Sequence, residues 1–445
     1  MRKIALTLML AGGVAAAQTT EQMRHYFEQG LRGEQPAPPK ARSFAPKRIA
    51  RKRAEVWQAW LQANRNVDNA DTLPAADSLA AAPRGQWTLP PELEPDARMP
   101  FYFGSKGPKP EAGYPLYLYL HGSGPKEQEW AAGLALARRF DDAPSLYFIP
   151  QIPQEGAWYR WYQKSKQFAW QRLLRQALLR PDVDPARLYV FGISEGGYGS
   201  QRLASFYADY WAAAGPMAAG EPLANAPAEN LGNIGFILRT GASDTGFYRN
   251  TLTRYTAEAL DSLERLHPSA FRHRVELIPG AGHAIDYRPT TPWLSRFVRD
   301  PHPRHFLWED FEMDGQHREG FYNLVVDRRP DSLLRTRYEV ELRENVVRVQ
   351  VDDIHYQTLQ TDSVYGIAMK FSRTYTPARR GAFTLYLNEQ MVDLSRPVAV
   401  IVNGRQVFKG RLRPNTAHML RSLSVFNDPL RIFPAAVRVN LSAGD

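Results

Sequence analysis

Ser194 stands in Gly192-Ile193-Ser194-Glu195-Gly196-Gly197, directly after the apolar run Leu188-Tyr189-Val190-Phe191 and before a helical pattern from about Tyr198 to Tyr207. A serine on a sharp strand-to-helix turn needs glycines beside it, because the strained backbone and close helix packing leave no room for side chains. Such a turn lifts the hydroxyl to the carboxyl edge of a sheet and sets it at a helix N-terminus. That is the position of a nucleophile. The competing reading is a tight turn used only for packing, so the partners decide.

A serine hydroxyl is a poor nucleophile unless a neighbouring base takes its proton. On a sheet of this kind the partners follow in the chain, acid then histidine, each just past a strand. Ile234–Arg239 leads into Thr240-Gly241-Ala242-Ser243-Asp244, and Val275–Ile278 leads into Pro279-Gly280-Ala281-Gly282-His283. His283 is the expected general base and then acid, with Asp244 orienting it and stabilising the imidazolium. Of the ten histidines, only His121 and His283 directly follow a strand of this region, and His121 precedes the serine. Asp286 lies too near His283 in the chain to reach its far side. Glu195 is expected to point into the helix start and act as a local charge.

Negative charge developing on a substrate oxygen needs prepositioned donors. One expected donor is the backbone N–H of Glu195, the residue after the nucleophile. Leu116–Leu120 runs into His121-Gly122-Ser123-Gly124, a turn whose backbone can approach a ligand closely. The Ser123 N–H is the expected second donor, with Gly122 next in line.

These motifs resemble those of the α/β-hydrolase family, in the family's order and on its loops. The Leu-His-Gly-Ser-Gly strand end and the Ser-x-Gly-Gly-Tyr-Gly stretch are similar to secreted esterases of the feruloyl-esterase and polyhydroxybutyrate-depolymerase type, and to catalytic domains of prolyl-oligopeptidase-like hydrolases. The resemblance covers about residues 86–299 and implies a serine hydrolase working through an acyl-enzyme, with no metal or cofactor. Glutamate after the nucleophile departs from the commoner neutral or aromatic residue, which leaves the substrate class open.

Candidates for substrate contact are His121, Glu221 and the aromatic cluster Trp158-Tyr159-Arg160-Trp161-Tyr162, in which Trp158, Tyr159 and Trp161 could form a stacking platform for sugar or phenolic rings or could pack the sheet edge. Glu221 could bind a substrate amine or hydroxyl, or sit in a salt bridge, and Arg249 has the same two readings. The short stretch from Gly215 to Ile234 leaves little room for a lid, so an exposed site suited to a bulky or polymer-linked ester is expected.

The elements that must position these residues are read from periodicity. Short apolar runs alternate with amphipathic helical patterns, notably Gln167–Arg180 and Leu252–Leu266, from Gln86 to about Arg299. This is the signature of an α/β domain, a doubly wound, mostly parallel sheet covered on both faces. Further strands are expected at Leu146–Ile149 and Trp211–Gly215. Before this domain, residues 18–85 read as a helical N-terminal arm with a helix over Ile49–Leu61. After Pro301-His302-Pro303, residues 301–445 carry strand-length segments such as Val346–Val351 and a hairpin signal at Asn403-Gly404, and read as an all-β sandwich. The one helical exception lies near Ala417–Leu423. The short proline linker favours docking of the sandwich on the catalytic domain, where it would shape one wall of the site; glycan contact is its other reading.

The chain of 445 residues is long enough for two or three domains, and 44% hydrophobic with 23% charged residues excludes a mainly disordered or collagen-like protein. Cysteine is absent, which excludes disulfides, thiolate metal sites and a cysteine nucleophile. Net charge is +10, but only Lys47, Arg48, Arg51, Lys52 and Arg53 cluster densely, and no nucleic-acid-binding signature accompanies them. No apolar run is long enough for a membrane span. Arg2 and Lys3, the apolar Ile4–Leu10 and Ala15-Ala16-Ala17 read as a cleavable export signal over residues 1–17, implying a periplasmic or extracellular bacterial protein. Three functions compete: an ester hydrolase, a serine peptidase or aminopeptidase with the same triad, and a non-catalytic glycan-binding envelope protein.

Overall fold

The computed structural model describes residues 20–40, 43–67 and 72–441, so the expected export signal lies outside the described residues. Its centre is an eight-stranded sheet in the order β1-β2-β4-β3-β5-β6-β7-β8. These strands are β1 (Gly85–Thr88), β2 (Arg98–Lys106), β3 (Tyr114–Leu120), β4 (Ser145–Pro150), β5 (Val183–Ile193), β6 (Ala213–Met217), β7 (Gly235–Gly241) and β8 (His273–Ile278). From β4 to β8 all neighbours are parallel, while β1 and β2 add an antiparallel edge.

Parallel strands need crossovers, and helices supply them: α3 (Lys126–Arg139), α4 (Lys164–Leu178), α5 (Glu195–Phe206) and α6 (Arg249–Leu266), with the short α7 (Thr290–Leu294) after β8. All seven residues of β3 are buried, as helices on both faces require. Side-chain alternation divides the core. Tyr117, Tyr119, Tyr147 and Tyr189 pack with Trp130 and Leu134 of α3 on one face. Leu116, Leu118, Leu120 and Val190 pack with Trp170 and Leu173 of α4 on the other.

The chain then builds two smaller sheets. One has the order β10-β11-β15-β18, with β10 (Gly320–Phe321), β11 (Leu324–Arg328), β15 (Ala382–Leu387) and β18 (Ala435–Asn440). The other runs β17-β16-β13-β12-β9, with β9 (His305–Asp310), β12 (Arg335–Arg343), β13 (Val346–Thr361), β16 (Val398–Val402) and β17 (Arg405–Gly410). Aromatic side chains of the two meet, as in the stack of Trp308 on Phe321 at 5.3 Å. Helix α8 (Thr416–Phe426), capped by the Asn415 side chain, packs Phe426 against Tyr386 of β15.

Two features of this region bear on the site. The far half of β13 outruns its sheet and pairs only with β14 (Ala368–Pro377), so a two-stranded arm projects from the sheet. The second is the join to the parallel sheet, through buried charges. Asp209 accepts from Arg318 and Arg431, and Asp428 accepts from Arg299 and Arg431.

Ahead of the sheet lie helices α1 (residues 20–31) and α2 (Ile49–Val67); α2 extends beyond the expected Leu61 and touches both α4, where Arg175 donates to Asn64 at 2.5 Å, and α8. Part of the basic cluster is neutralised locally, Arg51 and Lys52 by Glu55 and Arg53 by Glu389. Among the described residues, no helix is long and apolar enough to cross a membrane.

Candidate active site

The turn between β5 and α5 puts Ser194 at φ 56° and ψ −114°, a conformation that L-residues adopt only when the surroundings force it. The force is visible. The Ser194 N–H donates to Met217 O at the end of β6, and its carbonyl accepts from Tyr198 N–H inside α5. The turn also presses α5 against β3: a Cβ on Gly196 would lie 2.0 Å from the Leu120 carbonyl oxygen, so only glycine fits.

Loops after β7 and β8 bring the two other expected residues to this turn. His283 Nε2 lies 3.0 Å from Ser194 Oγ, and His283 Nδ1 lies 2.7 Å from Asp244 Oδ2. The protonation pattern follows from the partners. A carboxylate can only accept, so Nδ1 carries the ring proton and Nε2 is left to accept from the serine hydroxyl. Residues that hold the loops explain the precision. Arg249 donates to Asp244 Oδ1 at 2.9 Å, and the Asp244 side chain is only 3% exposed while that of His283 is 47% exposed. A Cβ on Gly241 would meet the Gly282 carbonyl oxygen at 2.0 Å, so that glycine lets the acid loop and the histidine loop touch. Arg249 is thus a salt-bridge partner of the acid. Asp286 lies away from the site, paired with Arg288.

The loop His121–Gly124 runs beside Ser194: a Cβ on Gly122 would stand 3.5 Å from the Ser194 Cβ. Its orientation is fixed from behind. The Gly122 carbonyl accepts from the Tyr159 hydroxyl at 2.5 Å and from His121 Nδ1 at 2.8 Å, and the His121 carbonyl accepts from Trp161 Nε1 at 3.0 Å. In a planar trans peptide the C=O of Gly122 and the N–H of Ser123 point in opposite directions. Pinning the carbonyl inward therefore turns the Ser123 N–H outward. The Glu195 N–H, at the first position of α5, has no intrahelical acceptor.

This packing corrects the expected stacking platform. Tyr159 and Trp161 are buried and face the His121–Gly124 loop, which leaves neither ring open to a substrate; Trp158 is half-buried. His121 is likewise fully buried and contacts no open space. Its Nε2 accepts from the Ile152 N–H, and burial holds the imidazole neutral, with its pKa lowered to about 4.

Glu195 also differs from expectation. Its side chain, from the residue next to Ser194, lines a cavity of about 590 Å³ instead of turning into the helix start. It is 8% exposed, meets the half-exposed Arg160 at 3.3 Å through Oε2, and receives no hydrogen bond on Oε1 from any described residue. Burial is the main cause of a pKa pushed up to about 7; Glu221 adds to it, and Arg160, Arg202 and Arg249 oppose it. Glu221 is buried in the same cavity, with both oxygens engaged by Arg202.

The opposite wall comes from the projecting arm. Tyr365, Gly366, Ile367 and Ala368 at the tip of β13–β14 line the cavity, with the Tyr365 ring 4.6 Å from Phe247. Asp362 shapes this tip by accepting from the N–H groups of Val364, Tyr365 and Ile367, and Arg373 ties the arm to Glu229 at 2.5 Å. The arm tip thus walls one side of a site that stays open at His283, whose side chain is 47% exposed.

No protein-family model and no curated protein sequence matches the chain. Among solved structures it is similar to a thermostable esterase, with 20% identity over 48% of this chain and 62% of that one and a TM-score of 0.39, so the chain spans under two thirds of that esterase. It is similar to the BES protein of Bacillus cereus, with 15% identity over 52% of this chain and 100% of the other and a TM-score of 0.36. A ferulic acid esterase of Anaeromyces mucronatus, bound to ferulic acid, aligns with 14% identity over 52% and 94% of the two chains and a TM-score of 0.35.

Proposed function

We propose that this protein is a serine hydrolase that cleaves carboxylic esters through an acyl-enzyme. One observation carries the reading: Ser194 Oγ, on a strained strand-to-helix turn, lies 3.0 Å from an imidazole whose other nitrogen is 2.7 Å from a buried carboxylate. Such a geometry serves nucleophilic attack better than any packing need.

In this mechanism Ser194 Oγ bonds to the ester carbonyl carbon as its proton passes to His283 Nε2. The carbonyl oxygen becomes an oxyanion held by the Glu195 and Ser123 N–H groups. The bond from carbon to the alcohol oxygen breaks, and the departing alcohol takes the proton from Nε2. Water then repeats the sequence on the acyl-Ser194 ester, releasing the acid and restoring the hydroxyl. Asp244 keeps Nδ1 protonated and stabilises the imidazolium while it lasts. The residues supply nucleophile, base and electrophilic donors without a metal or cofactor.

The remaining parts fit this reading. Residues 86–300 form the catalytic domain, residues 18–85 an arm, and residues 301–445 a β-sandwich whose role is to wall the site. The first 17 residues direct export to the periplasm or beyond. The test is Ser194→Ala in purified protein. Turnover of p-nitrophenyl acetate and labelling by a fluorophosphonate should both vanish, and retention of either refutes the assignment. Faster turnover of aminoacyl p-nitroanilides than of esters by the wild type would move it to the peptidases.

A further inference from the structure

The cavity beside Ser194 has two unlike sides. One presents charge: Glu195 and Glu221, with Arg160 and Arg202 as their partners. The other, made by Phe247, Leu252 and the arm tip at Tyr365–Ala368, is apolar and aromatic. A ligand that fills it therefore has an apolar body and a polar end.

The polar end can be specified further. Glu195 Oε1 is buried and receives no hydrogen bond from any described residue, and its other oxygen has only the half-exposed Arg160 at 3.3 Å. A buried carboxylate oxygen without a donor costs free energy, which a ligand recovers by donating to it once the Glu195 side chain turns that oxygen toward the cavity. Glu221, by contrast, is saturated by Arg202 and Asn225. The unmet demand in this cavity is for a hydrogen-bond donor at Glu195.

The cavity opens beside Glu195, the residue after the nucleophile, and neither Ser194 nor His283 is among its lining residues. A departing alcohol must reach His283 Nε2 to be protonated, which suits the cavity to the group that stays on Ser194.

We propose that this cavity is the acyl subsite, and that Glu195 selects acyl groups whose apolar body, lying against Phe247 and the arm tip, ends in a hydrogen-bond donor, a hydroxyl or an ammonium. The inference rests on the serine-hydrolase reading. It makes Glu195 a specificity-determining residue, through its side chain, in addition to the expected role of its backbone N–H.

The test uses three p-nitrophenyl esters of matched shape on the full chain: 3-phenylpropanoate, 3-(4-hydroxyphenyl)propanoate and 3-(4-(aminomethyl)phenyl)propanoate. The wild type should favour at least one donor-bearing ester over the parent by about tenfold or more in kcat/KM, the scale of one hydrogen bond to a charged group. Glu195→Met should bring the three esters to near equality. Glu195→Gln should keep a hydroxyl preference and lose an ammonium preference, which tells the two donors apart. Tyr365→Ala should lower kcat/KM for all three relative to p-nitrophenyl acetate. Fluorophosphonate labelling of each variant shows whether its site is assembled. Near-equal kcat/KM for the three esters in the wild type overturns the proposal with no variant needed, as does an undiminished preference in a labelled Glu195→Met protein. If the wild type turns over no ester and takes no label, the hydrolase reading itself falls.

Discussion

The hydroxyl of Tyr159 donates to the carbonyl oxygen of Gly122 at 2.5 Å, in the loop that runs beside Ser194. This contact joins a residue of the β4–α4 connection to the backbone after β3, and it fixes the plane of the peptide whose other end is the Ser123 N–H. In the proposed mechanism the buried Tyr159 does not contact substrate and acts as a positioning residue for the oxyanion donor.

Tyr159→Phe removes the bond and keeps the ring. With the donor less firmly aimed, kcat for p-nitrophenyl acetate should fall about tenfold with KM little changed, because the affected contact strengthens only in the transition state. Steady-state kinetics read this split directly. A rise in KM at constant kcat contradicts the positioning role.

Two buried groups near the site make opposite contributions to stability as pH changes. Glu195 moves from an ordinary 4.5 to about 7 on folding, so between these values the native state binds the extra proton and stability falls as pH rises. His121 moves from 6.5 to about 4, so in that window the unfolded state binds the extra proton and stability is lost as pH falls. Each contributes up to about 3 kcal/mol. Urea unfolding of Glu195→Gln should show stability rising more steeply with pH from 4.5 to 6.5 than in wild type. His121→Asn should show it falling instead. Identical slopes in all three proteins exclude these assignments.

Arg431 is fully buried between Asp209, at the end of α5, and Asp428 after α8. Burial alone would raise the Asp428 pKa, but Arg299 and Arg431 hold it at about 2. Arg431→Met leaves two buried carboxylates short of a partner and should cost about 3–5 kcal/mol in denaturant unfolding. A loss under about 1 kcal/mol shows that water reaches this join.

That Ser194, His283 and Asp244 meet was legible because each follows a strand-length apolar run, and such adjacency survives in one dimension. Most strand ends moved by only a residue or two, as with β6, expected from Trp211 and found from Ala213, whereas β5, expected from Leu188, begins at Val183. Other elements were obscured for physical reasons. The buried stripe of α3 is Trp130, Gly133, Leu134 and Ala137, too poor in large side chains to stand out as a hydrophobic period. Strand β2 is an edge-side aromatic run without clean alternation. The roles of Tyr159 and Trp161 were hidden because an aromatic residue looks the same in sequence whether its ring faces solvent or a backbone carbonyl. The arm tip lies more than a hundred residues beyond Asp244, and nothing local in its sequence points back to Glu195.

Because the arm belongs to the C-terminal sheets, the proposed chemistry and its proposed selectivity come from different parts of the chain. The nucleophile, base and acid of that mechanism all precede Arg299, while one face of the pocket comes from beyond it. Shortening or re-sequencing residues 362–368 is then expected to leave the Ser194 site assembled and to change its appetite.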